Sequence, residues 1–188
     1  GAAGVATARL LMIYGIKNIV FCDSQGIIHS GRPELTAEKQ ELLASSTAKP
    51  LAGTLADAIK GADVFIGLSK PGLVTADMVK TMAEKPIIFA LANPTPEIMP
   101  DEAKKAGAYI VATGRSDFPN QANNSLVFPG AFQGVLQANI PQFKIEMFSA
   151  VAQAIADSVV DLSPENILPS MFDKSVVNTV SGTIQQYR

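Results

Sequence analysis

Charge, cysteine, histidine and long apolar runs are all scarce in this 188-residue chain. Lysine and arginine number 15 against 17 aspartates and glutamates, for a formal net charge of −2. That balance offers no basic surface to nucleic acid or to an anionic membrane. The single cysteine, Cys22, excludes an internal disulfide, a zinc-type cluster and a redox cysteine pair. Inside an apolar run it reads as a small buried hydrophobe. The single histidine, His29, sits in a loop-like Gly-Ile-Ile-His-Ser-Gly context and is assigned no catalytic role. No apolar run reaches the roughly 20 residues that a bilayer span needs. No basic-then-apolar segment of the secretory type opens the chain, so a cytoplasmic protein is expected. Repeats, low-complexity tracts and linkers are also missing. With 47% hydrophobic residues there is enough apolar side chain for a real core, and residues 1–188 are expected to form one domain.

What the chain does have begins at its first residue. Gly1-Ala2-Ala3-Gly4 runs directly into a helix-period apolar segment, residues 5–14, which Gly15 should end as a left-handed cap. Small residues at a helix start allow close approach, and the free N–H groups and positive dipole end there suit an anion, most often phosphate. In a dinucleotide-binding unit these would be the last two glycines of G-x-G-x-x-G. Close packing alone would explain them too. Residues 18–22 then form a continuous apolar run, as in a strand buried on both faces of a parallel sheet. Asp23 closes that run, about 20 residues beyond the glycines, where a dinucleotide fold places the carboxylate that binds the adenosine ribose. It can equally begin the turn Asp-Ser-Gln-Gly, and the two roles are compatible.

Further β-rich apolar runs at residues 63–68, 86–91 and 108–112 alternate with helix-permissive stretches at 36–45, 54–61, 75–84 and 96–106. That alternation predicts an α/β, doubly wound, Rossmann-type parallel sheet. Helices at 131–138, 144–160, 165–168 and 174–187 should follow, with Phe148, Val151, Ala152 and Ile155 on a core-facing stripe. In such sheets ligands lie beyond the carboxyl ends of the strands. Asp23, Ser69, Asn93 and the segment from Thr113 onward all fall there. Residues 115–130 form a long irregular loop holding three asparagines and a glutamine, neutral groups able to orient a carboxylate, a hydroxyl or a carboxamide. They can also simply satisfy loop backbone.

Taken in order, Gly1-Ala-Ala-Gly4, Cys22-Asp-Ser-Gln-Gly26, Phe65-Ile-Gly-Leu-Ser69, Pro86-Ile-Ile-Phe-Ala-Leu-Ala-Asn-Pro94, Ala112-Thr-Gly-Arg-Ser-Asp117, Pro119-Asn-Gln-Ala-Asn-Asn124 and Phe128-Pro-Gly130 resemble the nucleotide-binding domain of malic enzymes, the shorter bacterial type in particular. The resemblance implies oxidative decarboxylation of malate to pyruvate and CO₂, with reduction of NAD or NADP and a requirement for Mg²⁺ or Mn²⁺. By matching position it implies that Gly1, Ala2, Ala3 and Gly4 hold the pyrophosphate and Asp23 the adenosine ribose. Asn93 and Asn123 would sit where nicotinamide and malate meet, with Ser69 a further cofactor contact. There the carboxamides would hold C2 of malate facing the nicotinamide. Asp23 favours NAD, because a carboxylate repels a 2′-phosphate, although Ser24, Arg32 or Lys39 could accommodate that phosphate. The family's oligomeric habit makes a homo-oligomer the expectation.

The family's catalytic tyrosine and lysine and its acidic metal ligands lie ahead of the glycine motif. No catalytic residue and no metal ligand is therefore assigned within these 188 residues, and Tyr14, Tyr109 and Tyr187 are not substitutes. The strand that should precede Gly1 would normally lie between the strand ending at Cys22 and the one ending at Leu68, leaving two unpaired edges. The chain is accordingly expected to be part of a longer polypeptide, or to receive that first strand from a partner chain. Two other functions stay open at this stage: a nucleotide-binding module without chemistry, and another two-domain dehydrogenase of this fold, acting on an amino acid or a tetrahydrofolate.

Overall fold

The computed structural model describes residues 1–188. Its elements are α1 (Ala2–Ile13), β1 (Cys22–Asp23), β2 (Gly26–Ile27), α2 (Ala37–Ser45), α3 (Leu55–Ile59), β3 (Val64–Gly67), α4 (Ala76–Lys80), β4 (Ile87–Ala90), α5 (Pro100–Lys105), β5 (Ile110–Thr113), a 3₁₀ turn (Asn124–Leu126), α6 (Phe128–Ala138), α7 (Ile145–Asp157) and α8 (Lys174–Gln185). β3, β4 and β5 form a parallel sheet in that order, which brings Gly67, Ala90 and Thr113 into register at its carboxyl end. α4 and α5 make the crossovers. Ile88 and Ala90 of the central strand point to one face and are completely buried, while Ile87 and Phe89 on the other face are half-buried. Ile88 and Ala90 meet Ile59 of α3, Val79 of α4, Ala103 of α5 and Val111 of β5 in one core. This is the expected Rossmann-like α/β arrangement.

A second core lies among the C-terminal helices, where Met147, Val151 and Ile155 of α7 meet Val176, Val180 and Ile184 of α8. Met147 takes the buried place expected for Phe148, and Ala152 is exposed. α6 lies close along α8, and Gly134 makes that approach possible. A methyl on Gly134 would come within 2.7 Å of Ile184 Cβ and 2.9 Å of the Ser181 carbonyl oxygen. Gly134→Ala should therefore destabilise the helical layer by about 1–3 kcal/mol, read from chemical denaturation. Unchanged stability would show that the two helices can move apart freely.

Several elements differ from the sequence expectation. Residues 18–22 do not join the parallel sheet. Only Cys22–Asp23 is strand, paired antiparallel with Gly26–Ile27, and Val20 is 39% exposed. The parallel sheet consists of β3, β4 and β5 alone, and this run uses local partners instead. Ile28 N–H donates to the Phe21 carbonyl at 2.8 Å, and Ser46 Oγ donates to the Ile19 carbonyl at 2.8 Å. β3 is likewise paired on one side only, and Val64 is 45% exposed.

The stretch 96–106 becomes helical only at Pro100. Residues preceding proline avoid the helical region, and Met99 before Pro100 is extended, with φ −70° and ψ 140°. Pro96, Glu97 and Ile98 form a buried non-helical segment, bonded to the chain after β3 through Gly72 N–H to the Pro96 carbonyl (3.2 Å) and Val74 N–H to the Glu97 carbonyl (3.0 Å). Residues 165–168 are not a helix either. Asn120 Oδ1 takes the Ile167 N–H at 2.8 Å, and Asn166 pairs across to Ser163, which leaves no helical ladder.

Candidate nucleotide and substrate site

Parallel register decides which polar residues converge. Ser69 lies two residues beyond the end of β3 and Asn93 three beyond the end of β4. After β5 the chain doubles back: Ala122 N–H donates to the Thr113 carbonyl at 2.8 Å, and Asn123 Nδ2 donates to the Gly114 carbonyl at 3.3 Å. Ser69, Asn93 and Asn123 thus share the carboxyl end of the sheet. Gly1–Gly4 and Asp23 are placed elsewhere. α1 lies against α2 through the Arg9–Glu41 pair at 2.6 Å and against α7 through Tyr14 Oη, which donates to Gln153 at 2.8 Å. Asp23 stands at the tip of the β1–β2 hairpin, tied to α2 by Lys39.

The residues at the sheet end differ in how much bonding capacity they retain. Ser69 and Asn93 are exposed, and their side chains bond to no other protein group. Asn123 is partly committed, because its Oδ1 accepts the Ser125 N–H at 3.0 Å and so caps the 3₁₀ turn while its Nδ2 holds Gly114. Each end of that carboxamide keeps one further bonding position, in an orientation fixed by the protein. Asn120 is different. Buried, with φ +56°, it donates to the Val111 and Pro164 carbonyls at 3.1 and 2.8 Å and accepts from Ile167, so it staples the loop.

Asp23 is bonded more heavily than a turn aspartate requires. Its Oδ1 accepts Gln25 N–H at 2.9 Å and Arg32 Nη1 at 2.9 Å, while Oδ2 accepts Arg32 Nη2 at 3.1 Å and Lys39 Nζ at 2.7 Å. The forked guanidinium pairs with both oxygens at once. The Arg32 hydrogen bond, followed by Lys39 and the Gln25 amide, holds the Asp23 carboxyl well below the usual carboxylate range. Four donors fill the four acceptor positions of the carboxylate. A ribose hydroxyl must therefore displace a donor or bond to one. Two cations on one carboxylate leave this corner with an excess of positive charge. Beside it, Cys22 is half-buried, and burial pushes its thiol up to about 11, which keeps it protonated and inert at neutral pH.

At the start of α1 the first helical bond runs from Val5 N–H to the Gly1 carbonyl at 3.1 Å. The preceding N–H groups stay open, and a methyl on Gly1 or Gly4 would meet nothing within 4 Å. A divalent cation finds no fit, since no three His, Cys, Asp or Glu residues come together. A shallow groove of about 600 Å³ between α4 and α5, lined by Lys80, Asp101, Glu102 and Lys105, involves none of the strand-end residues.

Glu97 was not apparent from the sequence as a site residue. It is 0% exposed, and its carboxylate bonds to the backbone that carries Ser69 and Asn93. The available signal was the pair of prolines at 96 and 100, which excludes a helix through residue 97.

Known proteins resemble this chain along nearly its whole length. Residues 14–186 match the family described as malic enzyme, NAD binding domain. The chain is 48% identical over 187 residues to a bifunctional malic/malolactic enzyme of Bacillus subtilis, covering 98% of this chain and 46% of that protein. It is 43% identical over 181 residues to an NADP-dependent malic enzyme of Halomonas elongata, covering 95% of this chain and 42% of the relative. Among solved structures, an NAD-dependent malic enzyme from Thermotoga maritima superposes with a TM-score of 0.91 at 40% identity, over 97% of this chain and 48% of that one. The chain spans less than half the length of each of these proteins. By sequence and by fold it belongs to the malic enzyme NAD-binding domain family.

Proposed function

We propose that this chain binds NAD or NADP at the carboxyl end of its sheet and orients malate for oxidation and decarboxylation to pyruvate. The observation carrying the proposal is the placement of Ser69, Asn93 and the protein-fixed Asn123 carboxamide at the carboxyl end of one sheet, in a member of this family. The N–H groups at the start of α1 would bind the pyrophosphate, and the Asp23–Arg32–Lys39 corner the adenosine ribose. When bound, the nucleotide supplies the hydride acceptor. Asn93 and Asn123 hold the substrate carboxylate or hydroxyl so that C2 faces that acceptor at reacting distance. By the family resemblance, proton transfer and the divalent ion belong to residues ahead of the glycine motif rather than to these 188 residues.

Arg32 and Lys39 offset the charge of Asp23, so the repulsion that favours NAD is weakened, and the site should accept both nucleotides. Malate-dependent reduction of NAD and NADP with Mn²⁺, measured on the full-length protein, tests the proposal. Both should be reduced, and Lys39→Ala should raise KM for NADP about tenfold more than for NAD, the worth of one charge-assisted hydrogen bond to a 2′-phosphate. Tight nucleotide binding without malate-dependent reduction would instead make this a binding module.

A further inference from the structure

The group that the proposed reaction leaves unused is Glu97. It is the only acidic side chain buried at 0% exposure, and no lysine or arginine pairs with it. Burying a carboxylate without a cation is costly unless hydrogen bonds replace its water. Here two do. Oε1 accepts the Ser69 N–H at 2.9 Å and Oε2 accepts the Ala92 N–H at 3.0 Å. Ser69 follows β3, and Ala92 precedes Asn93 after β4. One side chain therefore spans the ends of two neighbouring strands and fixes both peptides that carry strand-end candidates.

The surrounding chain is shaped to admit this carboxylate. Any Cβ on Gly67 would overlap the Glu97 carboxyl carbon, with Oε1 at 2.6 Å and Oε2 at 2.8 Å. Gly67 is itself the last residue of β3, and its carbonyl accepts the Leu91 N–H at 3.0 Å. Residue 67 lacks a side chain where residue 97 inserts one. The neighbouring backbone bonds, Gly72 to Pro96 and Val74 to Glu97, hold the inserted segment along the same seam.

We infer that Glu97 is a positioning residue, a carboxylate clamp that sets the Ser69 and Ala92 peptides, the strand-end backbone on which the nicotinamide end of the cofactor rests beside the substrate. The inference rests on the nucleotide reading above and deepens it. The clamp touches neither the α1 start nor Asp23, so it acts on one half of the dinucleotide. Losing it should loosen the nicotinamide half and leave the adenosine half alone.

That asymmetry gives the test, in the full-length protein, with NAD and ADP-ribose as probes. ADP-ribose keeps the pyrophosphate and both riboses but lacks nicotinamide. The parent should bind NAD more tightly than ADP-ribose. Glu97→Ala should weaken NAD about tenfold or more, as expected for lost charge-assisted hydrogen bonds, and leave ADP-ribose within about twofold. Should Glu97→Ala fail to fold, Glu97→Gln keeps the volume but turns an NH₂ toward one of the two N–H donors, and Gly67→Ala displaces an intact Glu97. Both should show the same split. In the Gly67→Ala/Glu97→Ala protein the new methyl takes the space the carboxylate vacates. Its melting temperature should recover relative to Gly67→Ala alone, while the preference for NAD over ADP-ribose stays lost. Equal weakening of both probes, unchanged NAD binding, or a parent without preference would each overturn the assignment. A parent that discriminates through Glu97 yet never reduces NAD(P) with malate would leave the clamp standing and remove the reaction.

Discussion

Replacing Asn93 by alanine should lower malate turnover about 100-fold while the protein melts where the parent melts and binds nucleotide within a few-fold of parent affinity. The separation follows from where the side chain is. Asn93 is exposed and its carboxamide bonds to no other protein group, so its removal costs the fold almost nothing. Its bonding positions are all open to a ligand. If it holds the substrate so that C2 faces the hydride acceptor, a loss of orientation falls on kcat rather than on nucleotide affinity. Asn123→Ala should lower turnover similarly, but it carries a structural cost that Asn93 does not. Its Oδ1 caps the 3₁₀ turn through Ser125 N–H and its Nδ2 anchors the loop to Gly114, and losing a cap costs about 1 kcal/mol. Turnover must then be expressed per folded site, by titration with nucleotide. Proportional losses in turnover and nucleotide affinity at Asn93 would place it on the cofactor and away from malate.

How much of this was legible beforehand follows from which residues carry local signals. β3, β4 and β5 are apolar runs long enough to be buried on both faces, and punctuation by polar strand ends placed Ser69, Asn93 and the Asn123 loop together without coordinates. The run at 18–22 carries the same local signal and yet forms only a two-residue strand at Cys22–Asp23. A strand needs a neighbour, and pairing is a property of the sheet rather than of the segment. Glu97 was hidden for the opposite reason. A glutamate beside prolines looks like a solvated helix start, and only the missing side chain at Gly67, thirty residues earlier, makes room to bury it. Asn120 and Asn123 are indistinguishable by type and spacing, and hydrogen-bond accounting alone separates the staple from the group with capacity to spare.

Asp23 carries the second large expected effect, this time on stability. Asp23 and Arg32 have side chains only 14% and 12% exposed, with Lys39 at 27%. Removing the carboxylate strands two cations in a corner with little water, the situation in which breaking one side of a buried pair costs about 3–5 kcal/mol. Asp23→Asn keeps the shape and should lose an amount near the lower end of that range at pH 7, because Lys39 can swing toward solvent. The pH dependence gives an independent check. The carboxyl of Asp23 is held well below its ordinary value in the folded protein, so as pH falls the unfolded chain takes up the proton first. Its stabilisation is therefore fully present above an unfolded carboxyl pKa of about 4 and is lost as pH falls below it. The parent's stability to denaturation should fall steeply over that acidic range, while that of Asp23→Asn should be flatter, so the two stabilities converge toward low pH. The same four-donor arrangement bears on the cofactor. A ribose hydroxyl can reach Asp23 only by taking the place of Lys39 or an Arg32 nitrogen, so nucleotide binding should itself alter this network. If Asp23 holds the ribose, Asp23→Asn binds NAD more weakly, so saturating NAD should widen the stability difference between parent and variant. A difference that stays constant with saturating nucleotide would show that Asp23 takes no part in holding the ribose, and a parent whose acid sensitivity matches that of Asp23→Asn would show that Arg32 and Lys39 do not stabilise its carboxylate.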